Sequence, residues 1–244
     1  MRNVIVTGGS RGLGLGIARR LSESGFRAIA VARKESVELT DAMRETEEVR
    51  PGSLHFASYD LAAVEGIPDL VKKLRKEFGP IYGLVNNAGM SVDGALALTS
   101  TQQIEQVVRL NTISPMVLAK HVVRTMMADG GGRIVNMSSI TAFNGYSGLS
   151  VYAATKASMV GFTRSLAREV GRMGVNVNAV APGFVETDMT QGLKDEQRQQ
   201  IERRSALKRL VDVDDVANAV EFLLSDRSKN ITGTVLTVDA GNTA

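Results

Sequence analysis

Short runs of apolar, often β-branched residues alternate with longer amphipathic stretches along the whole of this 244-residue chain. The amphipathic stretches, which predict helices, span residues 13–24, 64–78, 104–127, 152–173 and 213–224. The apolar runs, which predict strands, span residues 3–7, 28–32, 54–59, 83–86, 133–137, 176–181 and 235–238. This alternation is typical of a parallel sheet that helices cover on both faces. We therefore predict a single-domain, doubly wound α/β fold over residues 1–244, with a seven-stranded parallel sheet.

A glycine-rich turn lies between the first predicted strand and the first predicted helix. Gly8, Gly12 and Gly14 permit a tight turn and a close approach of the backbone to a pyrophosphate, which the helix N-terminus attracts. The spacing is Gly-x-x-x-Gly-x-Gly rather than the more familiar Gly-x-Gly-x-x-Gly. Glycine is common in any strand-to-helix turn, so it is the position of this turn in a strand-turn-helix unit that indicates a dinucleotide site.

The end of the second predicted strand indicates which dinucleotide binds. An acidic residue at this position usually binds the ribose 2′-hydroxyl of NADH, whereas arginine suits the 2′-phosphate of NADPH. This chain has Arg33 and Lys34 there, and the glycine-rich turn adds Ser10 and Arg11. Guanidinium groups bind phosphate oxygens in a bidentate manner. We predict NADPH rather than NADH, the alternative being that Arg33 and Lys34 are solvated loop residues.

Tyr152 and Lys156 lie four residues apart in a predicted helix, so that both side chains project from the same face. A lysine charge beside a phenol lowers the phenol pKa from its usual value of about 10, which makes the phenol a usable proton donor. Two serines precede this pair, and the spacing favours Ser139 over Ser138 as their partner. The alternative for Tyr152 is a packed helix tyrosine whose hydroxyl binds a backbone group.

Taken together, six motifs resemble the short-chain dehydrogenase/reductase family in their order and spacing. They are Thr7-Gly8-x-x-x-Gly12-x-Gly14, Asn86-Asn87-Ala88-Gly89, Asn111, Ser139, Tyr152-x-x-x-Lys156 and Pro182-Gly183. The resemblance covers essentially the whole chain and implies a Rossmann-type fold and an oxidoreductase. It implies that Ser139 polarises a substrate carbonyl and that Tyr152 protonates its oxygen. It also implies that Lys156 holds the nicotinamide ribose and that Asn111 holds a water for proton resupply.

The same resemblance implies a set of cofactor-binding residues. Asp60 and Leu61 would contact the adenine, and Asn87, Ala88 and Gly89 would line the adenosine ribose. The segment after the sixth strand would cover the nicotinamide. The full set is Gly8, Ser10, Arg11, Gly12, Leu13, Gly14, Arg33, Asp60, Leu61, Asn87, Ala88, Gly89, Tyr152, Lys156, Pro182, Gly183, Val185 and Thr187.

Segments such as 180–190 are similar to the 3-oxoacyl-[acyl-carrier-protein] reductase branch of the family. This similarity implies NADPH-dependent reduction of a 3-oxoacyl thioester on acyl carrier protein or coenzyme A, in fatty acid biosynthesis. Two segments depart from that branch. Residues 127–131 lack the basic residues common there, which would attract an acidic carrier protein, and residues 239–244 lack the usual paired glycines and apolar tail.

Two other functions therefore stay open. One is a dehydrogenase for another secondary alcohol or ketone, such as a sugar, polyol, steroid-like or polyketide substrate, and the other is a non-catalytic NADPH sensor. Residues 187–210 are predicted to form a short helical lid over the site, whose shape and charge would select the substrate. The resemblance also implies a homotetramer, with residues 104–127 and 152–173 at a subunit interface.

Composition argues against several further classes of function. The net charge is only +3 and Lys and Arg are scattered, which argues against nucleic-acid binding. With no cysteine and two histidines, no metal site is predicted. No apolar run approaches the length of a membrane span, and the first strand leaves no room for a signal peptide. We expect a cytoplasmic protein.

Overall fold

The computed structural model describes residues 1–186 and 195–244, without the side chains of residues 195 and 197. The described residues form one sheet of seven parallel strands in the order β3-β2-β1-β4-β5-β6-β7. The strands are β1 Arg2–Thr7, β2 Phe26–Ala32, β3 Leu54–Ser58, β4 Ile81–Asn86, β5 Gly132–Met137, β6 Val175–Pro182 and β7 Val235–Val238. The predicted doubly wound, Rossmann-type fold is confirmed, and the single-domain organisation stays a prediction.

Helices pack on both faces of this sheet. They are α1 Gly12–Glu23, α2 Val37–Val49, α3 Ile67–Phe78, α4 Thr101–Val108, α5 Ser114–Ala128, α6 Ser150–Val170, α7 Asp195–Arg204 and α8 Val213–Leu224. The sequence did not predict α2, whereas α7 lies within the helical lid predicted over residues 187–210. Helix α2 buries only Leu39 and Ala42, so its apolar period is weak, and it begins at a Ser36 cap whose side chain accepts a hydrogen bond from Leu39 N. No helix among the described residues is both long enough and apolar enough to cross a bilayer.

Successive residues of a strand point to opposite faces, and β1 supplies both halves of the core in this way. Val4 and Val6 pack with the buried residues of α1 and α8 on one face. Ile5 packs with those of α3 and α5 on the other. Since β1 lies between β2 and β4, the chain order reverses there, and a crevice is expected at the carboxyl ends of these strands.

The prediction of one continuous helix over residues 104–127 is wrong in one respect, because the helix is interrupted in the structure. Helix α4 ends at Val108, a π-helical turn covers Arg109–Ile113, and α5 begins at Ser114. Pro115 has no N–H to donate to a carbonyl one turn earlier, so regular α-helical hydrogen bonding cannot run through this point. The irregular turn carries Asn111, which is buried.

Candidate active site

The glycine-rich turn has the shape needed to hold a pyrophosphate. Gly8 and Gly12 have φ values of +67° and +53°, which other residues rarely adopt. A Cβ on Gly14 would lie only 2.1 Å from the carbonyl oxygen of Gly8, so that nothing larger than glycine fits there. Helix α1 begins at Gly12 with no side-chain cap, which leaves its first N–H groups for an anionic ligand. The turn therefore fits a dinucleotide.

Thr7 joins this turn to the segment that follows β4. Its Oγ1 accepts hydrogen bonds from the N–H groups of Asn87 and Ala88, both at 2.9 Å, and donates to the Val85 carbonyl at 3.2 Å. The Asn87 side chain returns a bond from Nδ2 to the Thr7 carbonyl at 2.9 Å. The predicted phosphate turn and the predicted ribose-lining segment are thus held side by side at the carboxyl ends of neighbouring strands.

The residues predicted to select the cofactor lie at the end of β2 and in the glycine-rich turn. Arg11 and Arg33 are both exposed. Ser36 Oγ donates to the Ser10 carbonyl at 2.5 Å, which ties the turn to the start of α2. Glu38 in the first turn of α2 has a lowered pKa, mainly through hydrogen bonds to its own backbone N–H and to Ser36, with a smaller contribution from the Arg11 charge.

The predicted adenine contact follows β3. Asp60 uses Oδ1 to accept a hydrogen bond from Ala62 N at 3.0 Å, so its carboxylate stabilises its own turn. Leu61 is buried beneath that turn. Leu61 lines a small cavity together with Thr7 and Ala88. It therefore lies next to the crevice.

Tyr152, Lys156 and Ser139 are brought together at the start of α6. Lys156 is buried, and its Nζ donates to the Met137 carbonyl at 2.9 Å. The same Nζ lies 5.5 Å from the centre of the Tyr152 ring. The side chain of Ser139 interacts with the Tyr152 phenol and lowers its pKa. The predicted grouping of a phenol, a lysine and a serine is therefore present in the structure.

The expectation that Lys156 lowers the pKa of Tyr152 is not met in the protein by itself. Burial raises the pKa of Tyr152, and although the Ser139 side chain lowers it, the charge of Asp93 raises it further. Burial also lowers the pKa of Lys156 to about 8. Near neutral pH the phenol therefore keeps its proton, and the Lys156 amine is charged in most molecules but loses that charge in mildly alkaline solution.

The two neighbouring serines have different partners. Ser139 Oγ accepts a hydrogen bond from Thr141 N at 3.2 Å, and its side chain is near enough to the Tyr152 phenol to lower its pKa. Ser138 Oγ donates instead to the main-chain carbonyl of Lys156 at 2.9 Å, inside the protein. The geometry thus favours Ser139 as the predicted partner of a substrate carbonyl.

Asn111 occupies the π-helical turn and faces the loop after β4. Its Nδ2 donates to Met90 O at 2.8 Å and to Thr155 Oγ1 at 3.1 Å, while its Oδ1 accepts from Met90 N at 2.9 Å. Asn111, Ser139, Tyr152 and Lys156 form the predicted catalytic tetrad. Gly89 lies between two of its members, since a Cβ on Gly89 would be 3.3 Å from Asn111 Oδ1 and 3.6 Å from Lys156 Nζ. Asn111 is thus beside Lys156, and its role in holding a water stays a prediction.

The segment predicted to cover the nicotinamide leaves the end of β6. Gly183 N donates to Val238 O at 2.8 Å, and a Cβ on Gly183 would lie 2.9 Å from Asp239 Cα. Val185 forms an isolated parallel bridge with Val211. Thr187 and residues 187–194 of the predicted lid lie outside the described residues, which resume at α7.

The sequence-based prediction missed groups that act through the main chain or from a loop. The carbonyls of Met137 and Met90 bind Lys156 and Asn111, and no residue type identifies such a contact in advance. Asp93 was missed as well, although a carboxylate four residues after Gly89 was a visible signal. Tyr146 was also missed, and its hydroxyl donates to Asn242 Oδ1 at 3.3 Å, joining the loop before α6 to the C-terminal tail.

Known proteins are similar to this chain in sequence and in fold. A family model described as enoyl-(acyl carrier protein) reductase matches residues 8–243. The chain is 39% identical over 237 residues to the 3-oxoacyl-[acyl-carrier-protein] reductase FabG of Escherichia coli strain K12, covering 97% of this chain and 95% of the relative. It is 40% identical over 236 residues to the 3-oxoacyl-[acyl-carrier-protein] reductase of Homo sapiens, with the same coverage of 97% and 95%.

A solved structure is similar over the same length. It is a gluconate 5-dehydrogenase from Burkholderia cenocepacia J2315, in complex with NADP and tartrate. It is 30% identical, with a TM-score of 0.93, and the match covers 99% of this chain and 95% of that one. The sequence motifs, the fold and these relatives agree, and the chain belongs to the short-chain dehydrogenase/reductase family.

Proposed function

We propose that this protein reduces a 3-oxoacyl thioester to the 3-hydroxyacyl thioester with NADPH as cofactor. The observation that carries the proposal is the grouping of the Tyr152 phenol and the Ser139 hydroxyl beside the buried amine of Lys156, whose Nζ lies 5.5 Å from the centre of the Tyr152 ring. That arrangement supplies a proton donor, a second hydrogen-bond donor and a positive charge around one point. Relatives at 39% and 40% identity over nearly the whole chain are 3-oxoacyl-[acyl-carrier-protein] reductases, which supports the choice of substrate.

The protein itself has two roles in this reaction, which are to position the substrate carbonyl beside the nicotinamide and to transfer a proton. When bound, the reduced nicotinamide supplies a hydride to the carbonyl carbon of the substrate. Tyr152 donates its Oη proton to the carbonyl oxygen as negative charge develops there. Ser139 donates a hydrogen bond to the same oxygen and so stabilises that charge. The raised pKa of Tyr152 suits this direction, because the phenol starts each reduction protonated at neutral pH.

Lys156 and Asn111 support the reacting pair. The Nζ of Lys156 is the charged group available to hold the nicotinamide ribose next to Tyr152. Its lowered pKa of about 8 means that this charge is lost in mildly alkaline solution. Asn111 holds the loop after β4 through both atoms of its amide and lies beside Lys156, where a water for proton resupply would bind.

NADPH is the cofactor that the binding residues suit. The glycine-rich turn of Gly8, Gly12 and Gly14 fits the pyrophosphate, and the uncapped start of α1 attracts it. Arg11 and Arg33 supply two guanidinium groups for the 2′-phosphate, and an acidic residue is absent from position 33. The gluconate 5-dehydrogenase relative has NADP bound, which supports the same choice.

The carrier of the acyl group is proposed as acyl carrier protein or coenzyme A. The corner after α5, where basic residues are common in carrier-dependent reductases, carries Asp129, and Arg75 of α3 forms an ion pair with it. Basic residues elsewhere on the surface would have to attract an acidic carrier protein, and the candidates are Arg124, Arg172, Lys208 and Arg209. The homotetramer and the cytoplasmic location expected from the sequence stay predictions.

A second candidate is oxidation or reduction of a polyhydroxy acid. The gluconate 5-dehydrogenase from Burkholderia cenocepacia J2315 matches the fold with a TM-score of 0.93 and 30% identity. The same tetrad serves either substrate, because both reactions transfer hydride at a secondary carbon. The NADPH sensor is the weakest candidate, since a sensor has no use for Tyr152 and Lys156 together.

The proposal is tested by following NADPH absorbance with acetoacetyl-coenzyme A and with an acetoacetyl-carrier protein, using NADH as the control cofactor. We expect rapid oxidation of NADPH with at least one of the two thioesters and slower oxidation of NADH. Tight NADPH binding without turnover of either thioester would contradict the proposal. That result would favour the second candidate.

A further inference from the structure

Three consecutive residues at the end of β5 hold the two functional residues of α6. Met137 accepts a hydrogen bond from Lys156 Nζ at 2.9 Å through its carbonyl oxygen. Ser138 Oγ donates to the Lys156 carbonyl at 2.9 Å, and the Ser139 side chain interacts with the Tyr152 phenol. Lys156 is therefore held at both ends, by its main-chain carbonyl and by its side-chain amine.

We propose that Ser138 is a positioning residue, which fixes the backbone of Lys156 so that its amine reaches the nicotinamide ribose beside Tyr152. This inference rests on the role of Lys156 in the proposed function. Ser138 touches neither the reacting atoms nor the cofactor, and it acts through Lys156 alone.

Ser138 is itself rigidly placed. Its N–H donates to the Val180 carbonyl of β6 at 2.8 Å, and its side chain is only 3% exposed. The backbone of Ser138 is therefore anchored in the sheet, and its hydroxyl is bound to a main-chain carbonyl of α6. A helix carbonyl has two lone pairs, so that of Lys156 can accept this bond as well as one within α6.

The first turns of α6 need such an attachment. The helix begins after Leu149, which provides no side-chain cap, so its first N–H groups gain no support there. Farther along, Asn136 Nδ2 donates to Thr163 Oγ1 at 2.9 Å and anchors the middle of the helix to β5. Thr155 in the same segment also accepts a hydrogen bond from Asn111 Nδ2 at 3.1 Å. Loss of the Ser138 bond would therefore loosen the backbone at Lys156 without detaching the helix.

A small displacement of this segment would change the reaction. The amine of Lys156 is at the end of a long, flexible side chain, and misplacement of a reacting group by about 1 Å can lower a rate by roughly a hundredfold. The low pKa of Lys156, about 8, comes from its burial. The ionisable group facing it from its own helix is Tyr152, and Asp93 acts on Tyr152 from the loop after β4. A looser Lys156 would gain contact with water and titrate at a higher pH.

The test is Ser138→Ala, with Ser228→Ala as the matched control. Ser228 is also fully buried and donates to a helix carbonyl, that of Leu223 at 2.9 Å, but it lies beyond α8 and makes no contact with the tetrad. We expect Ser138→Ala to lower kcat with NADPH and acetoacetyl-coenzyme A by roughly tenfold or more. The pH above which kcat/KM falls should rise from about 8. Ser138→Thr, which keeps the hydroxyl, should retain most of the wild-type kcat and most of the wild-type pH dependence of kcat/KM.

A readout that does not depend on the substrate separates this proposal from the proposed function. The titration of Lys156 is followed by ¹³C NMR of labelled lysine, assigned with Lys156→Met, and NADPH binding is measured alongside. We expect Ser138→Ala to raise the titration midpoint and weaken NADPH binding, while Ser228→Ala changes neither. If Ser138→Ala is not recovered folded, Ser138→Cys, a weak donor of similar size, carries the same expectation.

An unchanged Lys156 titration and unchanged NADPH binding in Ser138→Ala would overturn the positioning role, whatever the substrate proves to be. Equal effects in Ser138→Ala and Ser228→Ala would also overturn it, because they would reflect only the loss of a buried hydroxyl. A raised midpoint in a protein that reduces neither thioester would support the positioning role and refute the proposed substrate.

Discussion

Lys156 and Tyr152 show how burial, rather than mutual attraction, sets the starting protonation of this site. Burial lowers the pKa of Lys156 from 10.5 to about 8 and raises that of Tyr152 above 10.0. Both changes disfavour charge, and for Tyr152 this keeps a proton ready for transfer to a carbonyl oxygen. The charge on Lys156 is kept at neutral pH at a cost to stability, which is typical of a residue retained for function.

That cost can be measured with Lys156→Met. A fall in pKa from 10.5 to about 8 corresponds to about 3 kcal/mol of lost stability when the amine is charged in both the folded and unfolded states. Between those pH values the unfolded chain binds more protons, so wild-type stability rises with pH. We expect Lys156→Met to be more stable by about 2–3 kcal/mol at pH 7, measured by urea unfolding, with the advantage shrinking toward pH 10. A variant less stable than wild type at pH 7 would contradict this account.

Tyr152→Phe removes the proposed proton donor and keeps the ring. General acid catalysis contributes about 10²–10⁴-fold to a rate, so kcat for thioester reduction should fall by about a thousandfold. The dissociation constant of NADPH should change by less than about threefold, because the phenol oxygen is lost while Lys156 stays in place. Steady-state kinetics and fluorescence titration measure the two quantities. Activity within tenfold of wild type would remove Tyr152 from its role.

Arg33→Asp tests the choice of cofactor at a single exposed residue. A charge-assisted hydrogen bond contributes about 1.5–3 kcal/mol, so its loss should weaken NADPH binding by at least about tenfold and shift preference toward NADH. Lys229→Asp makes a similar change of charge at an exposed residue near the amino end of β6, away from the crevice, and should leave the preference unaltered. An unchanged preference for NADPH over NADH in Arg33→Asp would mean that Arg33 is a solvated loop residue.

At the scale of elements, the strands were predicted from the sequence more completely than the helices. Each predicted strand lies within or close to an observed one, because strands buried on both faces are continuous apolar runs. Helix α2 was missed because it is largely polar and buries only Leu39 and Ala42, whereas α7 lies within the predicted helical lid. The break between α4 and α5 was missed because it depends on Pro115 and on the contacts of Asn111 rather than on apolar period.

The candidate site also has residues that could be predicted from the sequence and contacts that could not. Tyr152, Lys156, Ser139 and the glycine-rich turn were identifiable because their chemistry requires particular residue types at a fixed spacing. The carbonyl of Met137 could have come from any residue, so only the fold identifies it. The raised pKa of Tyr152 was likewise not predictable, because it depends on burial and on Asp93 from a distant loop.

The packing of α1 against the glycine-rich turn gives a prediction at this scale. Gly14→Ala would place a methyl group 2.1 Å from the Gly8 carbonyl oxygen, so the turn must distort. We expect a loss of about 1–3 kcal/mol in the free energy of unfolding together with much weaker NADPH binding. The matched control is Gly161→Ala in α6, where a Cβ would meet nothing within 4 Å of its own subunit. Because α6 is predicted to lie at a subunit interface, the oligomeric state of both variants is measured as well. The Gly161→Ala variant should be neutral or more stable by about 1 kcal/mol, since alanine favours helix. Equal effects of the two substitutions would contradict the assignment of Gly14.

At the scale of the whole molecule, the elements converge on one edge of the sheet. The phosphate turn after β1, the loop after β4, the serines after β5 and the segment after β6 all follow carboxyl ends of parallel strands. This is where doubly wound sheets bind ligands. We therefore expect this fold to position the cofactor and the catalytic residues, and we predict that α7 and the C-terminal tail that contacts Tyr146 select the substrate.

The central claim is that a 3-oxoacyl thioester, rather than a polyhydroxy acid, is the substrate. It is tested most directly by the ratio of kcat/KM for acetoacetyl-carrier protein or acetoacetyl-coenzyme A to that for 5-ketogluconate, all with NADPH at one pH. We predict a ratio of at least about a hundred for the better thioester, because binding energy from the thioester carrier is used to orient the reacting carbonyl. A ratio below one would contradict the claim and assign the same tetrad to a polyhydroxy acid.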